Sequence, residues 1–432
     1  MRKAFLLFPL LTSALFAAAA PNPNRGIEAE PEQKDSMHVE YLENLDKMLN
    51  LWYIRQNVDS TVLAETFDYD STEIRPECPD SVYIERLAKL NTLIELPFNS
   101  VVRNYIGVYT QRKRTQVSVM LGLTEYYFPI FEEILDSYQL PVELRILPVI
   151  ESALNPRAVS RVGATGLWQF MYNTGRRYNL QIDSYVDARR DPIAATHAAA
   201  RFLKDLYDMY GDWTLVIAAY NCGPGNVNKA IRRAGGKRDY WDIYYFLPRE
   251  TRGYVPAFIA ATYAMNYAAE HRITPMQLTL PQTTDTIVVG GRMHLQQVAE
   301  VLDLPLQQLR DLNPQYKHDL LPSTTANVIR LPFEHVGAFI DREDEIRHYK
   351  DSIFLSPQRI REPLHHRDVA FAEAIPGDGS AVRYKVRRGD VLGSIAARYK
   401  VTVQQLKIWN GISGHMIREG QTLLIYSGKS RS

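Results

Sequence analysis

From Asp80 onward, apolar residues recur in the pattern of helices that each bury one face. The first stripe runs toward Pro97 and consists of Val82, Leu87, Leu90 and Leu93. Further helices are predicted over 99–112, 116–127, 129–138 and 141–151. Two prolines shape this region, because Pro129 is expected to begin a helix and Pro148 to kink the helix in which it lies.

The helix boundaries are clearest in the middle of this region. Asp191 is a cap residue followed by a proline suited to a first turn, and Gly211 ends the same helix. Asp212 caps the next helix, which ends near Asn221. The sequence therefore predicts an all-helical domain over residues 81–280.

At Pro281 the pattern changes to short β-like runs, such as Ile287-Val288-Val289. This region repeats near the C-terminus at a constant offset of 97 residues. The matching positions are Val289, Leu295, Val298, Leu309 and Asn313 in the first copy and Val386, Leu392, Ile395, Leu406 and Asn410 in the second. Residues 341–381 are charged and then rich in Gly and Ala, which predicts a linker between the copies.

One carboxylate stands out in the helical region, at the end of an apolar run. Glu151 lies between Val149-Ile150 and Ala153-Leu154, so the segment is expected to be buried nearly all round. A carboxyl in such surroundings is partly desolvated, which raises its pKa and suits a general acid working near neutral pH. The alternative is a helix-terminal acid on the surface.

Four short motifs follow one another from this carboxylate. They are Glu151-Ser152, Gly166-Leu167-Trp168-Gln169, Ala219-Tyr220-Asn221 and Glu250-Thr251-Arg252-Gly253-Tyr254-Val255. Together they resemble the catalytic domain of lytic transglycosylases, which are lysozyme-like enzymes that cleave the glycan strands of peptidoglycan. The resemblance is greatest to the D-type members, which carry LysM modules after the catalytic domain.

The resemblance implies a mechanism with a single acid. Glu151 would protonate the oxygen between N-acetylmuramic acid and N-acetylglucosamine, and would then accept the proton of the muramic acid's own 6-hydroxyl, closing a 1,6-anhydro ring. An intramolecular nucleophile needs no second carboxylate, because proximity supplies the advantage. The substrate-binding residues that the resemblance implies are Ser160, Trp168, Gln169, Tyr220, Asn221 and Tyr254.

The second repeat, residues 382–427, resembles a LysM module, a βααβ unit that binds chains containing N-acetylglucosamine. Gly389 permits the tight turn from strand to helix, and Asp390 is expected to cap the first helix. The glycan-binding residues implied for this module are Gly389, Asp390, Leu392, Asn410 and Ile417. The first copy, residues 281–340, has Arg292 and Met293 at the turn, so it is expected to keep the fold and bind sugar weakly. The predicted fold class is thus a mainly α lysozyme-like domain followed by small α/β modules.

Charge and the N-terminus bear on partners and location. The 432 residues carry a net charge of +1, so no overall field favours nucleic acid. Residues 1–19 read as a signal peptide, with Arg2 and Lys3 before an apolar run too short to span a membrane, and residues 20–80 as a leader. No Cys follows the signal, so an exported protein without a lipid anchor is expected. Cys78 and Cys222 could pair or stay free, and neither a metal nor another cofactor is indicated.

Two alternatives to a lytic transglycosylase stay open at this point. A muramidase would keep the fold but hydrolyse the bond, and it needs a second carboxylate, for which Glu250 and Asp183 are the candidates. A non-catalytic peptidoglycan-binding protein would keep the modules and a vestigial enzyme domain. The presence of Glu151, Gln169 and Tyr254 together speaks against the second alternative.

Overall fold

The computed structural model describes residues 78–356 and 381–426, apart from 279, 282, 324, 325, 388, 400, 402, 411 and 413–416. The predicted signal peptide, and nearly all of the predicted leader, lie outside the described residues. Two compact units divide the chain between Tyr349 and Lys350. The first unit holds the helical domain and the first repeat, and the second unit holds the second repeat.

The helical domain is built around one helix that is apolar on every side. That central helix, Tyr254–Asn266, is buried from its first residue to Ala264, which is the pattern expected for a helix surrounded by others. The α-helices of the domain are Asp80–Lys89, Ser100–Gly107, Arg114–Ser137, Leu147–Ser152, Tyr172–Arg177, Pro192–Tyr210, Trp213–Cys222, Pro224–Arg233, Tyr240–Ile243, Arg249–Arg252 and Tyr254–Asn266. The central helix packs against Ser100–Gly107, Leu147–Ser152 and Trp213–Cys222.

Shorter helical turns join these helices. A π-helical turn, Val108–Arg112, follows the second helix, and 3-10 turns cover Val142–Ile146, Tyr244–Phe246 and Ala269–His271. The predicted kink at Pro148 corresponds to the change from the 3-10 turn Val142–Ile146 to the α-helix Leu147–Ser152. Proline suits this place because the first turn of an α-helix needs no N–H from it.

The predicted boundaries around residue 200 are confirmed. The Asp191 carboxylate accepts hydrogen bonds from the backbone N–H groups of Ile193 and Ala194, and Gly211 has the left-handed conformation at the other end of Pro192–Tyr210. Asp212 caps Trp213–Cys222 by accepting from the N–H of Leu215.

Two predictions about the N-terminal helices are wrong. The first helix ends at Lys89, so Leu93 lies beyond it and is 78% exposed. Pro129 does not begin a helix but lies inside the continuous helix Arg114–Ser137. A proline there removes one backbone hydrogen bond, and the buried rings of Tyr127 and Phe131 stack on each other across it.

The first repeat is an antiparallel strand pair that encloses two helices. Strand β1, Thr284–Val289, pairs with β4, Asn327–Pro332, and the short strands β2, Met293–His294, and β3, Leu320–Leu321, pair with each other. The two helices are Leu295–Leu302 and Leu306–Leu312. At the predicted variant turn Met293 is buried, and His294 caps the first helix in place of an acid.

The second repeat has the same order of elements. Strand β5, Ala381–Lys385, pairs antiparallel with β6, Thr422–Tyr426, and the helices are Leu392–Tyr399 and Val403–Trp409. Both helices begin 97 residues after their counterparts in the first repeat. The βααβ architecture predicted for this repeat is confirmed.

The prediction of a linker from residue 341 is wrong for its first part. The helices Phe333–Asp341, Glu343–His348 and Asp351–Phe354 occupy this stretch, and Ile346 is fully buried in the core of the first repeat. Among the charges that suggested a linker, Arg347 pairs with Glu343 within one of these short helices. Residues 357–380 lie outside the described residues.

Candidate active site

Glu151 lies in the last turn of the helix Leu147–Ser152, at a point where the backbone turns sharply. Ala153 and Leu154 both have left-handed backbone conformations, with φ of 50° and 60°. The buried hydroxyl of Ser152 donates hydrogen bonds to the carbonyl oxygens of Pro148, at 3.0 Å, and Leu167, at 2.9 Å. This side chain therefore ties the helix that carries Glu151 to the loop that carries Gln169.

The Glu151 carboxyl is desolvated and has one hydrogen bond. Burial raises its pKa to about 7, against the opposing effect of a short hydrogen bond that the Tyr254 hydroxyl donates to Oε1. Tyr254 begins the central helix, so the core of the domain positions this donor. Within the described residues Oε2 makes no hydrogen bond, which leaves it available to a ligand. The predicted desolvation of Glu151 is confirmed.

The loop after Glu151 holds Ser160 and Gln169 in fixed turns. The Ser160 Oγ accepts from the N–H of Ala164 at 3.0 Å. The Gln169 amide nitrogen donates to the carbonyl oxygens of Gly166, at 2.9 Å, and Ala158, at 3.3 Å. Its Oε1 has no partner among the described residues, so the half-buried Gln169 presents an acceptor.

Gly166 is required where this loop passes the chain at Arg189. Its φ is +88°, and a Cβ there would stand 1.8 Å from the carbonyl oxygen of Arg189. The glycine of the Gly-Leu-Trp-Gln motif therefore allows its backbone to lie close to the backbone at Arg189. The motif as a whole shapes the loop beside Glu151.

Tyr220 and Asn221 connect the remaining two motifs to this loop. The Tyr220 hydroxyl donates to the carbonyl oxygen of Trp168 at 2.8 Å, and burial and the nearby Glu151 hold its pKa well above the usual range. The exposed Asn221 accepts at Oδ1 from the Thr251 hydroxyl at 2.9 Å. All four sequence motifs therefore meet around Glu151.

The prediction that Trp168 lines the groove is wrong. Its side chain is fully buried, its indole N–H donates to the Thr196 hydroxyl at 2.9 Å, and its ring packs edge-on against Phe131. Trp168 consequently supports the loop from beneath and offers no face to a sugar. Sequence reasoning also missed the roles of Ser152 and Thr251, whose hydroxyls form hydrogen bonds between the motifs. The only indication of these roles in the sequence is that both residues lie within the motifs.

Comparisons with known proteins agree with this arrangement. A model of the transglycosylase SLT domain matches residues 128–243. Membrane-bound lytic murein transglycosylase D of Escherichia coli strain K12 is 31% identical over 375 residues, which are 84% of this chain and 75% of the relative. The chain belongs to the lytic transglycosylase family. The resemblance found in the sequence is thereby confirmed, and the chain is an enzyme of the lytic transglycosylase type.

Two further matches each cover about a third of this chain. The soluble lytic murein transglycosylase of Escherichia coli strain K12 is 30% identical over 154 residues, which are 34% of this chain and 23% of the relative. The crystal structure of the 70 kDa soluble lytic transglycosylase of Escherichia coli covers 33% of this chain and 24% of that chain, with 28% identity and a TM-score of 0.28.

The two repeats of the transglycosylase match different module families. Residues 283–348 match the LysM-like domain of lytic transglycosylase MltD, and residues 384–425 match the LysM domain. The first match includes the helix Glu343–His348, in keeping with the buried Ile346. The predicted fold class, a mainly helical lysozyme-like domain followed by βααβ modules, is confirmed.

The residues predicted to bind glycan in the LysM module mostly hold its fold. Gly389 has a φ of +88°, as its turn requires. Asp390 accepts from the N–H of Arg387 and the hydroxyl of Tyr384, and its carboxylate lies 3.8 Å from the guanidinium of Arg398 in the helix that follows. Among the described residues it accepts from no backbone N–H of that helix, so the predicted cap is wrong. The side chain of Leu392 is buried in the module core, and Ile417 packs against that core.

Asn410 is also a structural residue. Its amide nitrogen donates to the carbonyls of Leu406 and Leu424, and its oxygen accepts from the N–H of Leu424. Asn313 in the first repeat makes the equivalent three bonds, to Leu309 and Arg330. The asparagine shared by the repeats fastens the second helix to the last strand, and in Asn410 both hydrogens of the amide nitrogen are used in these bonds.

The carboxylates proposed for a muramidase have other surroundings. Asp183 accepts from the N–H groups of Tyr185 and Val186 and from the Gln181 amide, so it closes a turn. Glu250 lies exposed in the short helix Arg249–Arg252.

Cys78 and Cys222 are both free thiols. Among the described residues, no helix has the length and apolar character of a membrane span.

Proposed function

We propose that this transglycosylase cleaves the β-1,4 bond between N-acetylmuramic acid and N-acetylglucosamine in peptidoglycan and leaves 1,6-anhydro-N-acetylmuramic acid ends. Glu151 serves as the acid and then as the base. The observation that carries the proposal is the state of the Glu151 carboxyl, which is desolvated, has a pKa of about 7 and accepts one hydrogen bond from Tyr254.

The first step is proton donation. At pH 7 about half of a carboxyl with a pKa near 7 is protonated, whereas an ordinary glutamate is almost wholly ionised. Because the Tyr254 hydroxyl occupies Oε1, the proton resides on Oε2. Oε2 gives it to the glycosidic oxygen, the bond from that oxygen to C1 of the muramic acid breaks, and N-acetylglucosamine leaves with a new 4-hydroxyl.

The second step closes the ring. The muramic acid is left with positive charge at C1, and its own 6-oxygen forms the new bond there. The Glu151 carboxylate takes the proton of that hydroxyl and returns to its starting state, so no water is consumed. Tyr254 stabilises the carboxylate between the steps, because a hydrogen bond to the charged form favours it.

The substrate groove is formed by polar groups near Glu151. Gln169 presents a carbonyl oxygen suited to the N–H of an acetamido group. The Asn221 amide nitrogen is a donor for a sugar oxygen, since its carbonyl oxygen is engaged by Thr251. Ser160 lies on the loop between Glu151 and Gln169. Tyr220 supports this loop by donating a hydrogen bond to the carbonyl oxygen of Trp168.

We further propose that the protein acts in the cell envelope. Residues 1–19 read as a secretory signal, and the substrate lies outside the cytoplasm. The module at residues 384–425 belongs to a family of glycan-binding modules, so we assign it to holding the enzyme on peptidoglycan. Because the side chains of Leu392 and Asn410 are committed to the fold, sugar contacts in this module must come from other groups.

The products of digestion test the mechanism. We expect purified sacculi to yield fragments ending in anhydro-muramic acid, lighter by one water than hydrolytic fragments and inert to borohydride because they have no reducing end. Mass spectrometry before and after borohydride treatment measures this. Mainly reducible muramic acid ends would mean that water is the acceptor, and Glu250 and Asp183 would then be examined by substitution as the second carboxylate.

A further inference from the structure

A basic pocket lies where the first repeat meets the catalytic domain. Its volume is about 410 Å³ and it is open to solvent. Arg157 and Arg190 line it from the catalytic domain, and Arg310, Lys317 and His318 line it from the repeat. None of these residues belongs to the groove described above, although Arg157 lies on the same loop as Ser160.

The two walls of this pocket are fixed to each other. Val186 of the catalytic domain forms a β-bridge with Tyr316, and its side chain belongs to the hydrophobic core of the repeat. The N–H of Asp187 donates to the Gln315 carbonyl at 2.9 Å, and the N–H of Lys317 donates to the Tyr185 carbonyl at 2.7 Å. The pocket is consequently a permanent feature of the first unit.

Most of the cations around the pocket already have anionic or polar partners. Arg310 forms two hydrogen bonds with the Asp319 carboxylate, at 2.6 and 2.9 Å. Arg157 lies 3.4 Å from the carboxylate of Asp311. Lys317 donates from Nζ to the carbonyl oxygen of Asp183 at 2.8 Å.

Arg190 is the exception. Within the described residues its guanidinium makes no hydrogen bond and no ion pair, and its Nε is buried without a partner. Neighbouring Arg189 is held by the Asp187 carboxylate through two bonds, at 2.8 and 2.9 Å, and the same carboxylate attracts Arg190 without a hydrogen bond to it. Burial lowers the pKa of Arg190; the charge of Asp187 opposes this effect, and the charges of Arg157 and Arg189 add to it. A partly buried guanidinium without a partner destabilises the protein unless an anion joins it.

The loop on the opposite wall is strained. His318 and Asp319 both have left-handed backbone conformations, each with a φ of 58°. Two successive non-glycine residues of this kind are uncommon, and such strain concentrates at binding sites. Asp319, which also lines the pocket, pairs with Arg310.

We propose that this pocket is an anion site for a carboxylate of the peptide stems that peptidoglycan strands carry on muramic acid. The inference rests on the proposed function, because it extends the substrate from the glycan to its peptide. A guanidinium that lines a pocket can bind a carboxylate through paired hydrogen bonds. Arg157 lies on the loop that also carries Ser160, and the peptide stems are the carboxylates that the proposed substrate itself brings to the enzyme.

Paired kinetics on two substrates test the site. Strands with intact stems and strands stripped of stems by an amidase are offered to the full-length parent, to Arg190→Met and to Arg190→Lys. We expect Arg190→Met to lose about 10- to 100-fold in kcat/KM on strands with stems and little on stripped strands, as the loss of a charge-assisted pair predicts. Arg190→Lys should recover part of the loss, and Arg233→Met, on an exposed arginine of the helix Pro224–Arg233, is the matched control.

Stability separates a binding residue from a structural one. Because Arg190 lacks a partner, Arg190→Met should melt at the same temperature as the parent or higher. A lower melting temperature together with equal losses on both substrates would mean that Arg190 serves the fold, which would overturn the proposal. Equal activity of Arg190→Met and the parent on strands with stems would overturn it as well.

A direct titration separates carboxylate from phosphate and needs no change at Arg190. The free stem tetrapeptide and inorganic phosphate are titrated separately into full-length Glu151→Gln, which keeps the pocket. Saturable binding of the tetrapeptide that phosphate does not displace supports the proposal, whereas binding of phosphate alone refutes it. Failure of the ring-closing mechanism would appear as reducible ends and would leave the preference for stems intact, so the two proposals fail separately.

Discussion

Replacing Glu151 by Gln should inactivate the enzyme and stabilise its fold at the same time. The native pKa of Glu151 is about 7, against an ordinary value of 4.5, and the main cause is burial. A carboxyl with a raised native pKa binds more protons in the folded than in the unfolded state between these values. Its presence therefore lowers stability progressively as pH rises from about 4.5 to 7, and the full cost applies above pH 7.

The size of the effect follows from that difference in pKa. A difference of roughly 2.5 units corresponds to about 3 kcal/mol, which is an upper value because the residue is only half-buried. Gln has nearly the same shape, keeps an oxygen for the Tyr254 hydroxyl and carries no charge. We expect Glu151→Gln to match the parent in stability near pH 4 and to exceed it by up to about 3 kcal/mol at pH 8.

Denaturant unfolding at pH 4 and pH 8, followed by circular dichroism, measures the difference in unfolding free energy between the variant and the parent. The matched control is Glu133→Gln, on the exposed side of the helix Arg114–Ser137. The same variant should lose about 10²- to 10⁴-fold in turnover of sacculi, since it has no proton to give. A stability gain that does not grow with pH would refute the desolvation of Glu151. Turnover equal to that of the parent would refute its role as the acid.

Two further expectations concern Tyr254 and the second repeat. Because the Tyr254 hydroxyl favours the charged carboxylate, Tyr254→Phe should raise the pKa of Glu151 further. The decline of kcat/KM at high pH should then move upward by about one pH unit. A decline at an unchanged or lower pH would contradict the role assigned to Tyr254. Deleting residues 382–432 should weaken binding to insoluble sacculi in a pelleting assay and leave turnover of short soluble glycans unchanged, because a tethered module raises local concentration without entering the site. A loss on soluble glycans would show that the module contributes to catalysis.

Local chemistry made part of this structure predictable. The caps at Asp191 and Asp212 and the glycine at 211 act within one turn of chain, so sequence alone gives the ends of their helices. The apolar neighbours of Glu151 gave the desolvation of its carboxyl for the same reason. The offset between the repeats was equally visible, since both copies keep the same helices and the same fastening asparagine.

What sequence reasoning missed depends on partners distant in the chain. Trp168 has the composition of a sugar platform, yet Phe131 and Thr196 enclose it. Charged residues after 341 suggested a linker, but a single apolar side chain, Ile346, anchors a helix there. No local pattern marks Arg190, because its significance is the absence of a partner that only the assembled pocket reveals.

The β-bridge between Val186 and Tyr316 has a consequence for the order of folding during synthesis. Lys317, beside that bridge, lies 134 residues after its partner Asp183. At roughly 5–20 residues per second, the ribosome needs on the order of ten seconds to supply the second half of the contact. The catalytic domain is complete only after its central helix, which ends at Asn266, so in the last part of that interval a folded domain presents Val186 without the core that later encloses it. A chain terminated before the first repeat would keep that exposed edge permanently.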